Sequence, residues 1–336
     1  MTRPPARVLS GIQPSGQLHL GNYFGAIAQH IALQARYPGA CFYFIADYHA
    51  LTTVRDPEAL RANVRDVAIT YLALGLDPDK ALLFRQSDVP EVTELAWMIA
   101  CVTGMGLLER AHSYKDKIAK GIRPSVGLFT YPVLMAADIL AYDATLVPVG
   151  KDQVQHVEMT QDMATHFNEA FAAPKDAPYL VRPEVLLSPT PYVPGIDGQK
   201  MSKSYDNTIP IFAEGKALRK RIGRIVTDST PLGEPLPADR CNVFALLSLF
   251  LDEDERADLR RTYAAGARDG APFGYGHAKK MLAERIEAHF AAARRRRAAL
   301  KADPARVEAV LARSAERARA VARATLERCR RATGIR

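Results

Sequence analysis

The sequence predicts an α/β protein: a parallel-sheet part followed by a mostly helical C-terminal part. Three observations predict it. Over the first two-thirds of the chain, short apolar runs alternate with helical patterns, the signature of strands joined by crossover helices. The run Cys41-Phe-Tyr-Phe-Ile-Ala46 is apolar without interruption, as a strand buried on both faces must be. From Gly215 onward the pattern is helical, apart from Pro/Gly loops at residues 230–237 and 266–276.

Taken in order, residues 7–10 (Arg-Val-Leu-Ser) read as the first strand and residues 41–46 as the second. Asp56-Pro57-Glu58 opens a helix, because Asp can accept from exposed N–H groups and Pro suits the first helical position. Gly75 closes that helix. Residues 81–84 form a third strand, and a helix covers residues 91–102, with the single tryptophan, Trp97, read as core. Residues 145–149 form a fourth strand that leads into a long helix through Phe171. Pro and Gly crowd residues 174–198, which read as loop and short extended pieces. The Ala/Arg/Glu-rich segment after residue 278 has helical propensity, and Pro304 breaks it in two.

The chain has 336 residues, 48% hydrophobic and 24% charged, ordinary values for a soluble globular protein of one large and one smaller domain. Its four cysteines, Cys41, Cys101, Cys241 and Cys329, fit no metal spacing, so no protein-held metal is expected. No signal peptide and no membrane-length apolar run (about 20 residues) is seen, which points to the cytoplasm and away from membranes. The net charge is +8 and is concentrated: residues 291–336 hold fourteen Lys and Arg against four Asp and Glu. Such a segment suits a polyanion such as RNA, or else is a solvated helix face.

Two segments carry chemistry. The first is Gly11-Ile-Gln-Pro-Ser-Gly-Gln-Leu-His-Leu-Gly-Asn22, between a strand and a helix starting near Leu20. Glycines there let backbone approach a phosphate, the helix start is expected to offer free N–H groups and a positive dipole end, and His19 and Asn22 lie within reach of a triphosphate. The second is Lys200-Met-Ser-Lys-Ser204 after Gly195-Ile-Asp-Gly-Gln. Two lysines three apart on a flexible approach make a cationic loop that can close over phosphates. Each segment alone is weak: one could be a tight turn, the other an ordinary exposed loop.

Together, a His-x-Gly-Asn turn and a downstream Lys-Met-Ser-Lys-Ser loop resemble the two signatures of class I aminoacyl-tRNA synthetases. Over almost its whole length the chain looks like the tryptophanyl branch, most densely at residues 10–16, 130–140, 147–153, 155–156 and 226–229. That resemblance implies a Rossmann-like catalytic domain over residues 1–205, a helical anticodon-binding domain over 206–300 and a basic C-terminal helix over 301–336. It implies ATP binding by Gln13, Pro14, Ser15, Gly21, Asn22, Gly150, Lys151, Asp152 and the loop Lys200, Met201, Ser202, Lys203 and Ser204. Tryptophan would be bound by Asp138, Tyr131, Met135, Val147, Val149, Gln153 and Gln13. Asp138 is the selective group, since a carboxylate among apolar neighbours needs a donor and an indole N–H is one. Lys151 stands where many relatives carry Glu, and Tyr205-Asp206 where other pairs are frequent.

The chemistry implied is tryptophan activation by ATP, then transfer to tRNA(Trp). The amino acid's carboxylate is ionised at neutral pH and attacks the α-phosphate without a general base. His19, Asn22, Lys117, Lys200 and Lys203 would serve the departing diphosphate, with Mg²⁺ held by ATP and water. The family also implies a homodimer. The nearest alternative is the tyrosyl branch, which shares the fold, both signatures and a pocket aspartate. Further ones are a small-molecule nucleotidyltransferase, which would lack the long helical part, and a non-catalytic RNA-binding relative, which would have lost signature residues.

Overall fold

A computed structural model describes residues 6–111, 125–188 and 192–335. The chain forms two compact units that interleave in sequence. The first comprises Met1–Gln17, Gln29–Ser188 and Ala299–Arg336, the second Leu18–Ala28 and Pro189–Ala298.

The first unit is built on strands β1 (Val8–Ile12), β2 (Cys41–Ile45), β3 (Ala81–Arg85), β4 (Leu146–Val149) and β5 (Glu184–Leu187). They form one sheet in the order β3-β2-β1-β4-β5, parallel throughout. Its helices are α1 (Ala28–Arg36), α2 (Pro57–Leu74), α3 (Glu91–Ala100), α4 (Val126–Leu140) and α5 (Val154–Ala170). The termini of α2 obey the local rules: Asp56 accepts from the N–H groups of Glu58 and Ala59, Pro57 is the first helical residue, and Gly75 takes a left-handed φ of 113°. β5 arises inside the Pro- and Gly-rich stretch, one of the short extended pieces expected there.

The strand order reverses between β1 and β4, and in such sheets ligands bind outside the carboxyl ends at that reversal. The sheet opens there. β1 pairs with β2 at five positions, from Val8↔Cys41 to Ile12↔Ile45, but with β4 only at Val8↔Leu146. Pro148 inside β4 has no N–H to give to a ladder; its carbonyl instead accepts from the Ser10 hydroxyl at 3.4 Å.

Trp97 corrects the sequence reading: its side chain is 71% exposed. Helix α3 buries Glu91, Val92, Leu95, Met98 and Ile99, and position 97 falls on the opposite side. The helix is apolar nearly all round, so its periodicity hides which face is inside.

The second unit is mostly helical: α6 (Gly215–Gly223), α7 (Asn242–Ser248), α8 (Glu253–Ala265), α9 (Tyr275–His289) and the start of α10 (Ala291–Ala302). A two-residue hairpin, β6 (Ala267–Arg268) and β7 (Ala271–Pro272), sits in the expected Gly266–Gly276 loop. Leu218, Ile222, Leu246, Leu247, Leu282 and Ile286 are buried in this unit.

The last helix, α11 (Pro304–Thr333), begins at Pro304 with Asp303 as its cap and belongs to the first unit, packing against edge strand β3 and α3. It buries Val307, Leu311, Ala315, Ala318, Ala322, Leu326 and Cys329, spaced three or four apart as an amphipathic helix requires. Four of its arginines are answered by acids of the same unit. Glu91, itself 8% exposed, accepts from Arg319 and Arg323. Arg328 donates to Asp143 at 2.6 Å and Arg330 to Glu94 at 2.6 Å. These four charges hold the helix to its unit.

Candidate active site

The residues singled out from sequence fall into two groups, one in each unit. In the first unit they collect at the carboxyl end of the sheet. The registers Ile12↔Ile45 and Ile45↔Arg85 make the chain leave β1, β2 and β3 at one level, so Gln13, Ala46 and Gln86 emerge side by side. Gln13-Pro14-Ser15 leads into Gly16, whose φ of 110° favours glycine. From β4 the chain passes through Gly150 into the helical turn Lys151–Gln153; a Cβ on Gly150 would stand 2.8 Å from Asp152 Oδ1. Gln153 donates to Asp152 Oδ2 at 3.3 Å.

Asp138 is 1% exposed and lies near the end of α4. Tyr131, Met135 and Asp138, spaced four and three apart, share one face of that helix. Gln86 Nε2 donates to both Asp138 oxygens, at 2.8 and 2.9 Å, and His49 Nε2 lies 2.8 Å from Oδ2. Gln86 is fixed in turn: its Oε1 accepts from the backbone N–H groups of Tyr48 and His49. Gln13 donates to the His49 carbonyl at 3.3 Å. The carboxylate thus sits at the ends of β1, β2 and β3, with Oδ1 taking one donor and Oδ2 two. An ionised carboxylate oxygen can accept two bonds, so Oδ1 keeps a position for a further donor. Burial raises the pKa of Asp138, while the bonds from His49 and Gln86 oppose the rise.

Around this group the other expected residues take different environments. The Tyr131 hydroxyl is hydrogen-bonded to Nε2 of His156. Val147 is 2% exposed within the main apolar cluster, and Met135 and Val149 are half-buried against it. Lys151 and Asp152 are exposed.

The second unit carries the other group. His19 precedes a helical turn, Leu20–Asn22, that continues as a π-helical stretch, Tyr23–Ile27, a form frequent at functional sites. Tyr23 and Phe24 anchor it among Phe250, His289 and Phe290. The N–H groups at this helix start are not free, which corrects the expectation from sequence. Leu20 N–H bonds the Ile209 carbonyl at 2.9 Å, Asn22 N–H the His19 carbonyl at 2.9 Å, and Gly21 N–H the Met201 sulfur at 3.3 Å. The sulfur is a weak acceptor, so Gly21 has the N–H a phosphate could most readily claim. Asn22 Oδ1 caps the His19 N–H at 3.1 Å, which leaves the amide donors of Asn22 for a ligand.

His19 is buried, and burial together with the nearby Lys203 lowers its pKa to about 4. It is therefore neutral at pH 7, and a neutral imidazole has one N–H to donate.

The lysine loop is laid against the same turn. A Cβ on Gly21 would come within 3.0 Å of the His19 ring and 3.3 Å of Met201 Cβ, so only glycine lets the two motifs pack. Met201 is buried, Lys200 exposed and Lys203 half-buried. Ser202 caps the turn Lys203–Tyr205 by accepting from the Ser204 N–H. Lys117 lies outside the described residues. Among the described residues no cluster of three or more His, Cys, Asp or Glu could hold a metal ion.

Sequence reasoning missed Gln86, His49 and Asn207. No local pattern marks them: Gln86 and His49 lie 52 and 89 residues from Asp138. The only available signal was that a buried carboxylate needs donors.

Comparison with known proteins gives the chain its family. The family model described as tRNA synthetases class I (W and Y) matches residues 1–291. The tryptophan--tRNA ligase of Rhodopirellula baltica is 53% identical, covering 98% of this chain and 100% of that one. That of Fusobacterium nucleatum is 49% identical, with 98% of each chain covered. The crystal structure of tryptophanyl-tRNA synthetase from Campylobacter jejuni complexed with ADP and tryptophan superimposes with a TM-score of 0.87 at 46% identity, covering 98% and 99% of the two chains. The chain belongs to the class I tRNA synthetases for tryptophan and tyrosine. Within that family it sorts with the bacterial tryptophan enzymes.

Proposed function

We propose that this chain is a tryptophan–tRNA ligase, which joins L-tryptophan to ATP to give tryptophanyl-adenylate and diphosphate, then passes tryptophan to tRNA(Trp) with release of AMP. The observation that carries the substrate assignment is Asp138: a buried carboxylate, fixed by Gln86 and His49, on one helix face with Tyr131 and Met135. An indole N–H fits the open position on Oδ1, and a ring lacking that N–H would leave it unanswered. Full-length relatives that are tryptophan--tRNA ligases support the same reading.

The roles divide between the units. In the first, Asp138 takes the indole nitrogen, with Met135, Val147 and Val149 as apolar wall. Tyr131, Gln153 and Gln13 take the amino acid's polar end. Gln13, Pro14, Ser15, Gly150, Lys151 and Asp152 hold the nucleoside part of ATP; Lys151 cannot accept from a ribose hydroxyl, so Asp152 or backbone does. In the second unit His19, Gly21, Asn22 and the loop Lys200–Ser204 serve the triphosphate, a role also assigned to Lys117, which lies outside the described residues. Mg²⁺ would come with ATP and be held by ATP and water, and would supply charge neutralisation at the phosphates.

The carboxylate of tryptophan attacks the α-phosphorus and the bond to the β-phosphate oxygen breaks. No proton need be removed, so the protein contributes alignment and charge. Lys200 and Lys203 meet the charge gathering on diphosphate, while neutral His19 donates to a phosphate oxygen. In the second step a terminal ribose hydroxyl of tRNA attacks the adenylate's carbonyl carbon and AMP leaves.

Residues 206–300 would bind the anticodon arm and 301–336 complete the sheet unit. Support for tRNA binding lies in exposed cations of the second unit: Lys216, Arg219, Lys220, Arg224, Lys280 and Arg295. Support for a homodimer lies in the exposed apolar side chains of Trp97, Met105 and Val126, 71%, 62% and 79% exposed, on neighbouring elements of the first unit. A patch of that kind is a common subunit contact. A cytoplasmic home is supported by four free cysteines; no described helix is long and apolar enough to cross a membrane.

ATP–diphosphate exchange with each amino acid supplied singly tests the assignment. Exchange with tryptophan is expected; exchange with tyrosine and not tryptophan would reverse it.

A further inference from the structure

Asn207 is 1% exposed, lies outside both signature motifs, and its side chain joins three points of the loop that carries the lysines. Its Oδ1 accepts from the Ser202 N–H at 2.7 Å. Its Nδ2 donates to Asp197 Oδ1 at 2.8 Å and to the Lys200 carbonyl at 3.1 Å. Its own carbonyl accepts from the Ile196 N–H at 3.0 Å. The amide therefore grips the approach to the loop at Asp197, the first lysine at Lys200 and the residue before the second lysine at Ser202. Three of its four bonding positions are used.

The surroundings are shaped for this one side chain. A Cβ on Gly195 would stand 2.3 Å from Asn207 Cγ and Nδ2, so glycine at 195 makes room for the amide. The approach is folded back by an antiparallel bridge between Pro194 and Lys200 and by Gly195 N–H to the Gln199 carbonyl at 2.7 Å. Beyond the loop, Arg221 donates to the Thr208 carbonyl at 2.7 Å and to the Asp206 carbonyl at 2.6 Å, which fixes the backbone on either side of Asn207. The lysine side chains are thus carried on a backbone whose path is set by one buried amide. Neither Asp nor Leu, similar in size, could replace it: Asp loses both donors and faces Asp197 with like charge, and Leu loses all three bonds.

We propose that Asn207 is a positioning residue for the activation step, acting through Lys200 and Lys203 by holding the lysine loop in the path that presents them to the triphosphate. The inference rests on the ligase reading, and the native chain is measured first. Absence of tryptophan-dependent exchange there would remove that reading; native exchange with unaltered variants would remove this one.

The test is ATP–diphosphate exchange by the full chain, resolved into kcat and KM for tryptophan, with the melting temperature recorded alongside. Asn207→Ala is expected to lower kcat roughly 10–100-fold, the scale on which misplacement of a catalytic group is felt, with KM for tryptophan within about twofold of native. Asp197→Ala, at an exposed position, removes one of the three anchors without endangering the fold and is expected to lower kcat about 3–10-fold on the same scale. Asp197→Asn combined with Asn207→Asp restores a donor–acceptor pair between the two positions and is expected to recover part of the rate lost in Asn207→Asp alone. A kcat for Asp197→Ala equal to native, or an Asn207→Ala loss shared equally by kcat and by KM for tryptophan, would overturn the positioning role.

Discussion

Asp138 and the lysine loop are both charged sites, and they are built in opposite ways. Asp138 is buried and already answered by two protein side chains, Gln86 and His49. Its remaining capacity is small and directional, which suits choosing among ligands. Lys200 is exposed and Lys203 half-buried, on a backbone fixed beneath them by buried Met201 and Asn207. Their charge is held in place by that backbone, which suits meeting a charge that appears only as diphosphate departs. Selection asks for a group satisfied in advance save for one position; rate asks for cations carried on a fixed scaffold.

The strongest way to break the comparison is Lys203→Ala. If the loop serves the transition state, kcat for exchange falls about 10²–10³-fold, as on removal of a charge-stabilising group elsewhere, and KM for tryptophan hardly moves. A loss seen mainly in KM for tryptophan would mean that the loop also selects. Asp138→Asn examines the other side. It places an amide opposite two donors, so kcat/KM for tryptophan should fall roughly 10–100-fold, about the worth of a hydrogen bond to a charged group. The preference over tyrosine should narrow as well. Equal losses with both amino acids would show that Asp138 only supports the fold.

How far these sites could be read in the sequence follows from how local their determinants are. The lysine loop was legible because its chemistry lies in five consecutive residues, and α2 because Asp56, Pro57 and Gly75 each carry a local rule. The setting of Asp138 was half legible: a carboxylate in an apolar run announces a need for donors but not which ones, since Gln86 and His49 reach it only through strand pairing. Asn207 was hidden for the same reason, one buried amide serving backbone up to seven residues away and a carboxylate ten away. In helix α11 composition left two readings open, a polyanion contact or a solvated face. The small residues Ala315, Ala318 and Ala322 that dock it on the sheet unit look like filler. In α3 the cause was reversed, since apolar residues on every side concealed that Trp97 faces out.

Burial without a charged partner has a cost that pH can expose. His30 is buried between Tyr43, stacked at 4.6 Å between ring centroids, and the Tyr71 hydroxyl at 3.0 Å from Nδ1. Burial pulls its pKa down to about 3, below the 6.5 of an exposed histidine. The unfolded chain therefore takes up a proton below about pH 6.5 that the folded chain refuses. Stability is full above that pH and declines as pH falls toward 3, by about 1.4 kcal/mol per pH unit from this one group. His19, at about 4, adds in the same direction. Asp138, whose pKa is raised, acts oppositely, since its folded form accepts a proton sooner. Melting temperatures between pH 7 and pH 5 should drop in the native chain and drop less in His30→Phe, which keeps the stacking and loses the proton. Equal drops would assign the acid sensitivity to other groups.

The smallest expected effect lies at cations that stay open to solvent outside both motifs. Arg219 is 66% exposed on α6, with Glu287 at 3.7 Å as a loose partner, and it borders two clefts of about 540 and 370 Å³ that Arg294, Arg295, Lys279 and Lys280 also line. These stand in contrast to Arg319, Arg328 and Arg330 of α11, bound at 2.6–3.0 Å to acids. If the open cations meet RNA phosphates, Arg219→Gln should raise KM for tRNA only a few-fold. The slope of log KM against log salt should lessen by about one, as for one lost phosphate contact, and diphosphate exchange should stay native. Arg330→Gln, by the same logic, should lower the melting temperature and leave the salt slope alone. A salt slope that changed for Arg330 and not for Arg219 would exchange the two assignments, making the tail the RNA contact and the α6 face a solvated surface.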